Sequence, residues 1–110
     1  MSCLTNKEKL SGLIGLATRA GKTVFGTEAC KKELEKNKIK LLIIATDAAE
    51  RTKMNFVSIC NSKKVEWKEY LNVEEISKAI GQTNKAVIGI KDVNFSNEMK
   101  KIINGGEAIG

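Results

Sequence analysis

Apolar residues recur along this chain at two alternating periods, and the changes of period divide it into helices and strands. Thr5 with Glu8 is a capping-box pair, and Leu10, Leu13, Ile14 and Ala17 then fall on one helical face. Gly21 is placed to end that helix in a left-handed turn. Residues 22–25 read as a weak early strand. Thr27 can cap a second helix that turns Cys30 and Leu34 inward and Lys31, Lys32, Glu35 and Lys36 outward, with Asn37 as its left-handed stop.

Leu41, Leu42, Ile43, Ile44 and Ala45 form a continuous apolar run, as expected of a strand covered on both faces. A third helix is expected over residues 49–62, with Met54, Phe56, Val57, Ile59 and Cys60 buried. Residues 65–68 alternate as a strand, with Trp67 in the inward phase. Asn72 with Glu75 caps a fourth helix bearing Ile76, Ala79 and Ile80. After Gly81 comes a strand over residues 86–90, then a last helix starting at Asn94 or Ser96 with Phe95, Met99, Ile102 and Ile103 inside. Helices alternating with short strands predict an α/β fold with helices on both faces of the sheet.

A chain of 110 residues is expected to form one domain over residues 1–110, burying roughly 65% of its unfolded surface. No stretch approaches the ~20 apolar residues of a membrane span, and MSCLTNKEKL has no signal-peptide core. The expectation is a cytoplasmic protein. Histidine is absent, which removes Ser-His-Asp and Cys-His catalysis, and Cys3, Cys30 and Cys60 form no CxxC pair for a metal. Those thiols read as small hydrophobes in a reducing compartment.

Charge is distributed unevenly. Residues 1–64 carry 13 Lys/Arg against 6 Asp/Glu, whereas residues 65–110 carry 6 against 7. Basicity confined to one half points to a directional partner of negative charge. Gly21-Lys22-Thr23 mimics the end of a phosphate-binding P-loop, but the first glycine of that pattern falls on Leu16, and a helical rather than a strand pattern precedes it. An enzyme acting on a nucleotide is therefore the third-ranked reading.

RNA binding ranks first. A helix start at Gly26-Thr27 offers unpaired N–H groups and partial positive charge, and Gly26 lets a nucleic-acid backbone come close. Lys31 and Lys32 extend a basic strip along the helix, and Arg19 and Lys22 add cations from the loop before it. Gly81, Gln82, Thr83, Asn84 and Lys85 supply amides, a hydroxyl and a cation for a second wall, with Ile80 and Ala86 as apolar flanks. Trp67 is assigned to core packing rather than to base stacking. A protein–protein adaptor using the same basic face for an acidic partner is the alternative.

The stretches IGLATRAGKTVFGTEACKKELEKNKIKLLIIATDAAERT and AIGQTNKAVIGI resemble the ribosomal protein L7Ae family, and most of all its small bacterial members. The resemblance implies a three-layer α/β/α sandwich around a four-stranded mixed sheet. It also implies binding of kink-turn or related structured RNA, ribosomal or other, with no cofactor, metal or small-molecule substrate and no catalysis. Gly26, Thr27 and Lys32 match the family's Gly-Thr-Asn-Glu start and following Lys. Glu28 stands where Asn is usual and Ala29 where Glu or Gln is usual, the two positions through which the family reads the kink's G·A bases. The segment from Gly81 to Ala86 resembles the family's second recognition loop.

Overall fold

A computed structural model describes residues 5–104. Its elements alternate along the chain as α1 (Asn6–Arg19), β1 (Thr23–Phe25), α2 (Thr27–Glu35), β2 (Leu41–Ile44), α3 (Glu50–Lys63), β3 (Glu66–Glu69), α4 (Val73–Ala79), β4 (Val87–Ile90) and α5 (Val93–Ile103). The strands form one sheet in the order β1-β4-β2-β3. β4 runs antiparallel to both of its neighbours, β1 and β2, whereas β2 and β3 are parallel and joined through α3. Every residue of the central strands β2 and β4 is buried, which is why both read as unbroken apolar runs. The edge strands β1 and β3 are short and half-exposed.

α2 packs with α3, and α1 packs with both α4 and α5, so two helical layers enclose the sheet. Leu10, Ile14 and Ala17 from α1, Ile76 from α4 and Met99 from α5 join one core with Cys30, Leu34, Phe56 and Cys60 from α2 and α3. The α/β sandwich with a four-stranded mixed sheet is as expected.

Local chemistry sets most of the boundaries. Thr5–Glu8 and Asn72–Glu75 both close as reciprocal capping boxes. Gly21 and Asn37 adopt the left-handed turns expected of them, with φ of 74° and 59°. Four local expectations are corrected. Thr27 is the first residue of α2 and Gly26 its cap, since no side chain accepts an N–H there. The last helix starts earlier than Asn94 or Ser96, because Asp92 accepts the Phe95 N–H at 2.9 Å and Ser96 is buried. On α3, Met54 is 66% exposed and Val57 and Ile59 are half-buried, leaving Phe56 and Cys60 as its buried residues. On α5, Met99 is buried, whereas Phe95, Ile102 and Ile103 are half-buried at the rim of the core.

Candidate nucleic-acid interface

The strand directions bring four connections to one end of the sheet. β1, β2 and β3 all finish there, and β4 begins there. The Gly26 turn, residues 45–49, residues 70–72 and the 81–86 loop therefore share that edge. α2, α3 and α4 all start at it.

The helix starts differ in how their backbone donors are satisfied. α1, α4 and α5 are capped by the side chains of Thr5, Asn72 and Asp92. α2 and α3 follow Gly26 and Ala49, and neither has a side-chain cap. Each thus presents its first-turn N–H groups and the positive end of its dipole to the same edge. The two starts follow strands separated by β4, about 10 Å by two interstrand spacings. Two uncapped helix starts facing one way give this edge backbone donors of the kind that suit an anion, beside the first-turn carboxylates of Glu28 and Glu50.

Gly26 has φ 93° and ψ 154°, a conformation that a side chain disfavours. Its N–H donates to Val87 O at 3.0 Å, tying the turn to the start of β4. A Cβ there would meet only Lys85 Nζ, at 3.9 Å. Lys85 Nζ also stands 5.9 Å from the centre of the Phe25 ring, so this cation bridges from the 81–86 loop to the Gly26 turn. The loop is fastened to α4: Gln82 N–H donates to Ser77 O at 2.8 Å and Lys85 N–H to Ser77 Oγ at 2.8 Å. Gly81, Gln82, Thr83 and Asn84 are exposed, with Asn84 in the left-handed region at φ 55°. Ala86 is half-buried, and its carbonyl accepts the Ala45 N–H at 2.8 Å. Ile80 is buried in the core and offers no apolar flank, contrary to expectation.

Lys31 stands one turn beyond Thr27, Lys32 stands one turn beyond Glu28, and all four are exposed. Glu28 forms no ion pair with Lys32 or any other cation among the described residues. Glu50 in the first turn of α3 and Asp47 before it are likewise exposed and without a cationic partner among the described residues, so the edge carries three carboxylates that no ion pair neutralises.

Arg19 and Lys22 do not join this group. They lie at the other end of β1, where Lys22 O accepts the Lys91 N–H at 2.8 Å, one strand length away from Gly26. The loop before α2 is an edge strand, so it carries these cations away from the helix start instead of gathering them. Gly21-Lys22-Thr23 leads into a strand rather than a helix, and the Thr23 hydroxyl lies 3.0 Å from that of Thr18.

The sequence reading missed the second half of the edge. Thr46 and Arg51 are exposed around the start of α3, and Arg51 has no carboxylate partner among the described residues. Lys53 Nζ donates to Thr46 O at 2.7 Å and Glu69 Oε2 at 2.8 Å, pinning that turn to the end of β3. The Glu69 hydrogen bond holds the Lys53 ammonium above its usual pKa. Asp47 accepts the Val73 N–H at 2.8 Å and helps to start α4. Beside it lies an open cleft of about 560 Å³ lined by Val73, Ser77, Lys78 and residues 82–84. The signal for this turn was available as a strand ending in TDAA before a helical period.

Burial pushes the Cys30 thiol up to about 12 and Cys60 to about 11, so neither is a thiolate at neutral pH. Cys3 lies outside the described residues. Among the described residues no group of three His, Cys, Asp or Glu could hold a metal, and no helix is long and apolar enough to cross a membrane.

Residues 8–100 match the model of the ribosomal protein L7Ae/L30e/S12e/Gadd45 family. The chain is 36% identical over 100 residues to the RNA-binding protein YlxQ of Enterococcus faecium, covering 91% of this chain and 96% of that one. Its fold matches a Bacillus halodurans protein of unknown function with a TM-score of 0.84 and 32% identity, covering 87% of this chain and 97% of the other. The 15.5 kD RNA-binding protein of Giardia lamblia shares the fold with a TM-score of 0.75 at 18% identity, covering 100% and 94% of the two chains.

Proposed function

The chain belongs to the ribosomal protein L7Ae/L30e/S12e/Gadd45 family, and from that we propose that it is a non-enzymatic protein that binds structured RNA at the Gly26 edge. The preferred RNA is a kink-turn or kink-loop, ribosomal or other, met in the cytoplasm, and no cofactor takes part. The observation that carries this reading is the pair of uncapped helix starts on one edge.

In this reading, phosphates of the bent backbone accept the N–H groups of Thr27, Glu28 and Ala29, and the bare Gly26 lets the backbone close in. Lys31, Lys32 and Arg51 neutralise neighbouring phosphates, which positions the RNA without reading it. The amides of Gln82 and Asn84 and the hydroxyl of Thr83 face the unstacked bases of the kink. An adaptor would need an apolar centre to its interface. Apart from the small Ala49, the exposed side chains at this edge are polar, among them Thr27, Glu28, Arg51, Gln82, Thr83 and Asn84.

The test is a pair of charge reversals measured against a kink-turn RNA with short stems. Lys32→Glu should weaken binding about 10-fold, the scale of a lost phosphate contact plus a new repulsion. Lys100→Glu should change it less than about 2-fold, because Glu66 already holds Lys100 at 3.1 Å. Equal losses would place the RNA elsewhere.

A further inference from the structure

The basic excess of the first 64 residues does not gather at the Gly26 edge. Its exposed cations stand beside Glu28, Asp47 and Glu50. The opposite end of the sheet carries a row of lysines in strand order. Lys22 precedes β1, Lys91 follows β4, Lys40 precedes β2, and Lys64 stands two residues before β3. Backbone hydrogen bonds make three of them neighbours: Lys91 N–H donates to Lys22 O at 2.8 Å and Lys40 N–H to Ile90 O at 2.7 Å. Three interstrand spacings give the row a width of roughly 14 Å.

Helix-dipole compensation accounts for the basic residues in the last turns of α1 and α3, Arg19 and Lys63. It does not account for Lys22, Lys40 and Lys91, which flank strands. Lys91 has a carboxylate nearby, Glu33 at 3.8 Å. Lys22, Lys40 and Lys64 are exposed and have none among the described residues. Three of the four lysines thus have no carboxylate partner among the described residues, at the end of the sheet away from the uncapped helix starts, with Lys64 also serving as the C-cap of α3.

We propose that this lysine row is a second RNA-binding surface, which holds the phosphates of a duplex segment independently of the kink at Gly26. The identity of the polyanion rests on the RNA reading above; the place and chemistry of the row do not. Lysine is a point-charge phosphate ligand without the fork that reads carboxylates or base edges in pairs. At this end Trp67 and Phe95 are half-buried, so no aromatic among the described residues stands exposed as a platform for stacked bases, and Val93, two residues beyond Lys91, is an exposed apolar side chain beside the row. Such a surface attracts backbone regardless of sequence. Two surfaces at opposite ends of the sheet let one small domain clamp two segments of a folded RNA.

The test saturates the protein with a short-stem kink-turn RNA and then titrates a labelled straight duplex. The variant is Lys22→Gln/Lys40→Gln/Lys64→Gln, whose three sites are all exposed; a thermal melt confirms its fold. Wild type should bind the duplex while the kink-turn stays bound, and the variant should keep the kink-turn and lose the duplex. Three phosphate contacts correspond to a log–log salt slope of about 2.7, so wild-type duplex affinity should fall roughly 40-fold more between 50 and 200 mM salt than the variant's. Equal duplex affinity and slope for the two proteins would overturn the proposal, and so would displacement of the duplex by the kink-turn. Loss of polyglutamate binding alone, with duplex binding intact, would reassign the row to acidic proteins. If the variant loses duplex binding but wild type never binds the kink-turn, the row stands and the Gly26 reading falls.

Discussion

Replacing Glu28 with glutamine removes one negative charge at the start of α2 at constant size, and it should act in opposite directions on folding and on binding. Glu28 lies in the first turn, exposed and without an ion pair among the described residues. Its folded-state contribution is attraction to the helix dipole, about 0.3–1 kcal/mol, which Glu28→Gln forfeits. Against RNA the same carboxylate faces phosphates bound to the neighbouring N–H groups. At about 6 Å in a water-like dielectric one such repulsion is ~0.7 kcal/mol. The variant should therefore unfold at slightly lower urea and bind a kink-turn RNA about 3-fold more tightly at low salt. The gain should shrink as salt rises, since exposed charges are screened over a Debye length of about 10 Å at 0.1 M. Urea melts and fluorescence-anisotropy titrations at two salt concentrations measure both effects. Weaker binding by Glu28→Gln would refute the reasoning and make the carboxylate an acceptor for a base amino group.

Gly26→Ala brings its methyl only into ordinary contact with Lys85 Nζ at 3.9 Å, so backbone strain alone should cost ~1–3 kcal/mol in a urea melt, and an unchanged midpoint would remove the special role of that turn. Gly89→Ala puts a Cβ 2.5 Å from Ile39 Cδ1 and 3.1 Å from Val24 Cγ1, an overpacking of about 1–3 kcal/mol. Adding Ile39→Val removes the closest atom, so the double variant should be more stable than the sum of the single effects; strict additivity would sink this explanation. Cys30 is held protonated up to about 12 against 9.0 in the unfolded chain. Its contribution is complete below pH 9 and is lost as pH climbs toward 12, by up to about 1.4 kcal/mol per pH unit. Stability should fall less steeply above pH 9 in Cys30→Ala, and identical slopes would contradict this.

The fold was legible because its strongest signals are local. Two capping boxes and the left-handed turns at Gly21 and Asn37 mark boundaries where sequence and backbone geometry coincide. The two central strands are apolar throughout because both faces are covered. What stayed hidden depends on strand direction. Arg19 and Lys22 are near Gly26 in sequence, yet β1 carries them to the far end of the sheet. Lys40, Lys64 and Lys91 are far apart in sequence and fall into one row with Lys22 only through the β1-β4-β2-β3 order. Arg51 reaches the Gly26 edge through the same order. The Asp92 cap was missed because Asn94 and Ser96 are equally good capping residues two and four positions later.

The most direct measurement sets a kink-turn RNA against a straight duplex of equal length and charge, competing for wild-type protein at physiological salt. If the Gly26 edge and the 81–86 loop recognise a sharply bent backbone, the kink-turn binds at least about 10-fold more tightly, and Gly26→Ala removes most of that difference. Equal affinity for the two RNAs would contradict shape recognition at this edge and leave only attraction between a basic protein and any polyanion.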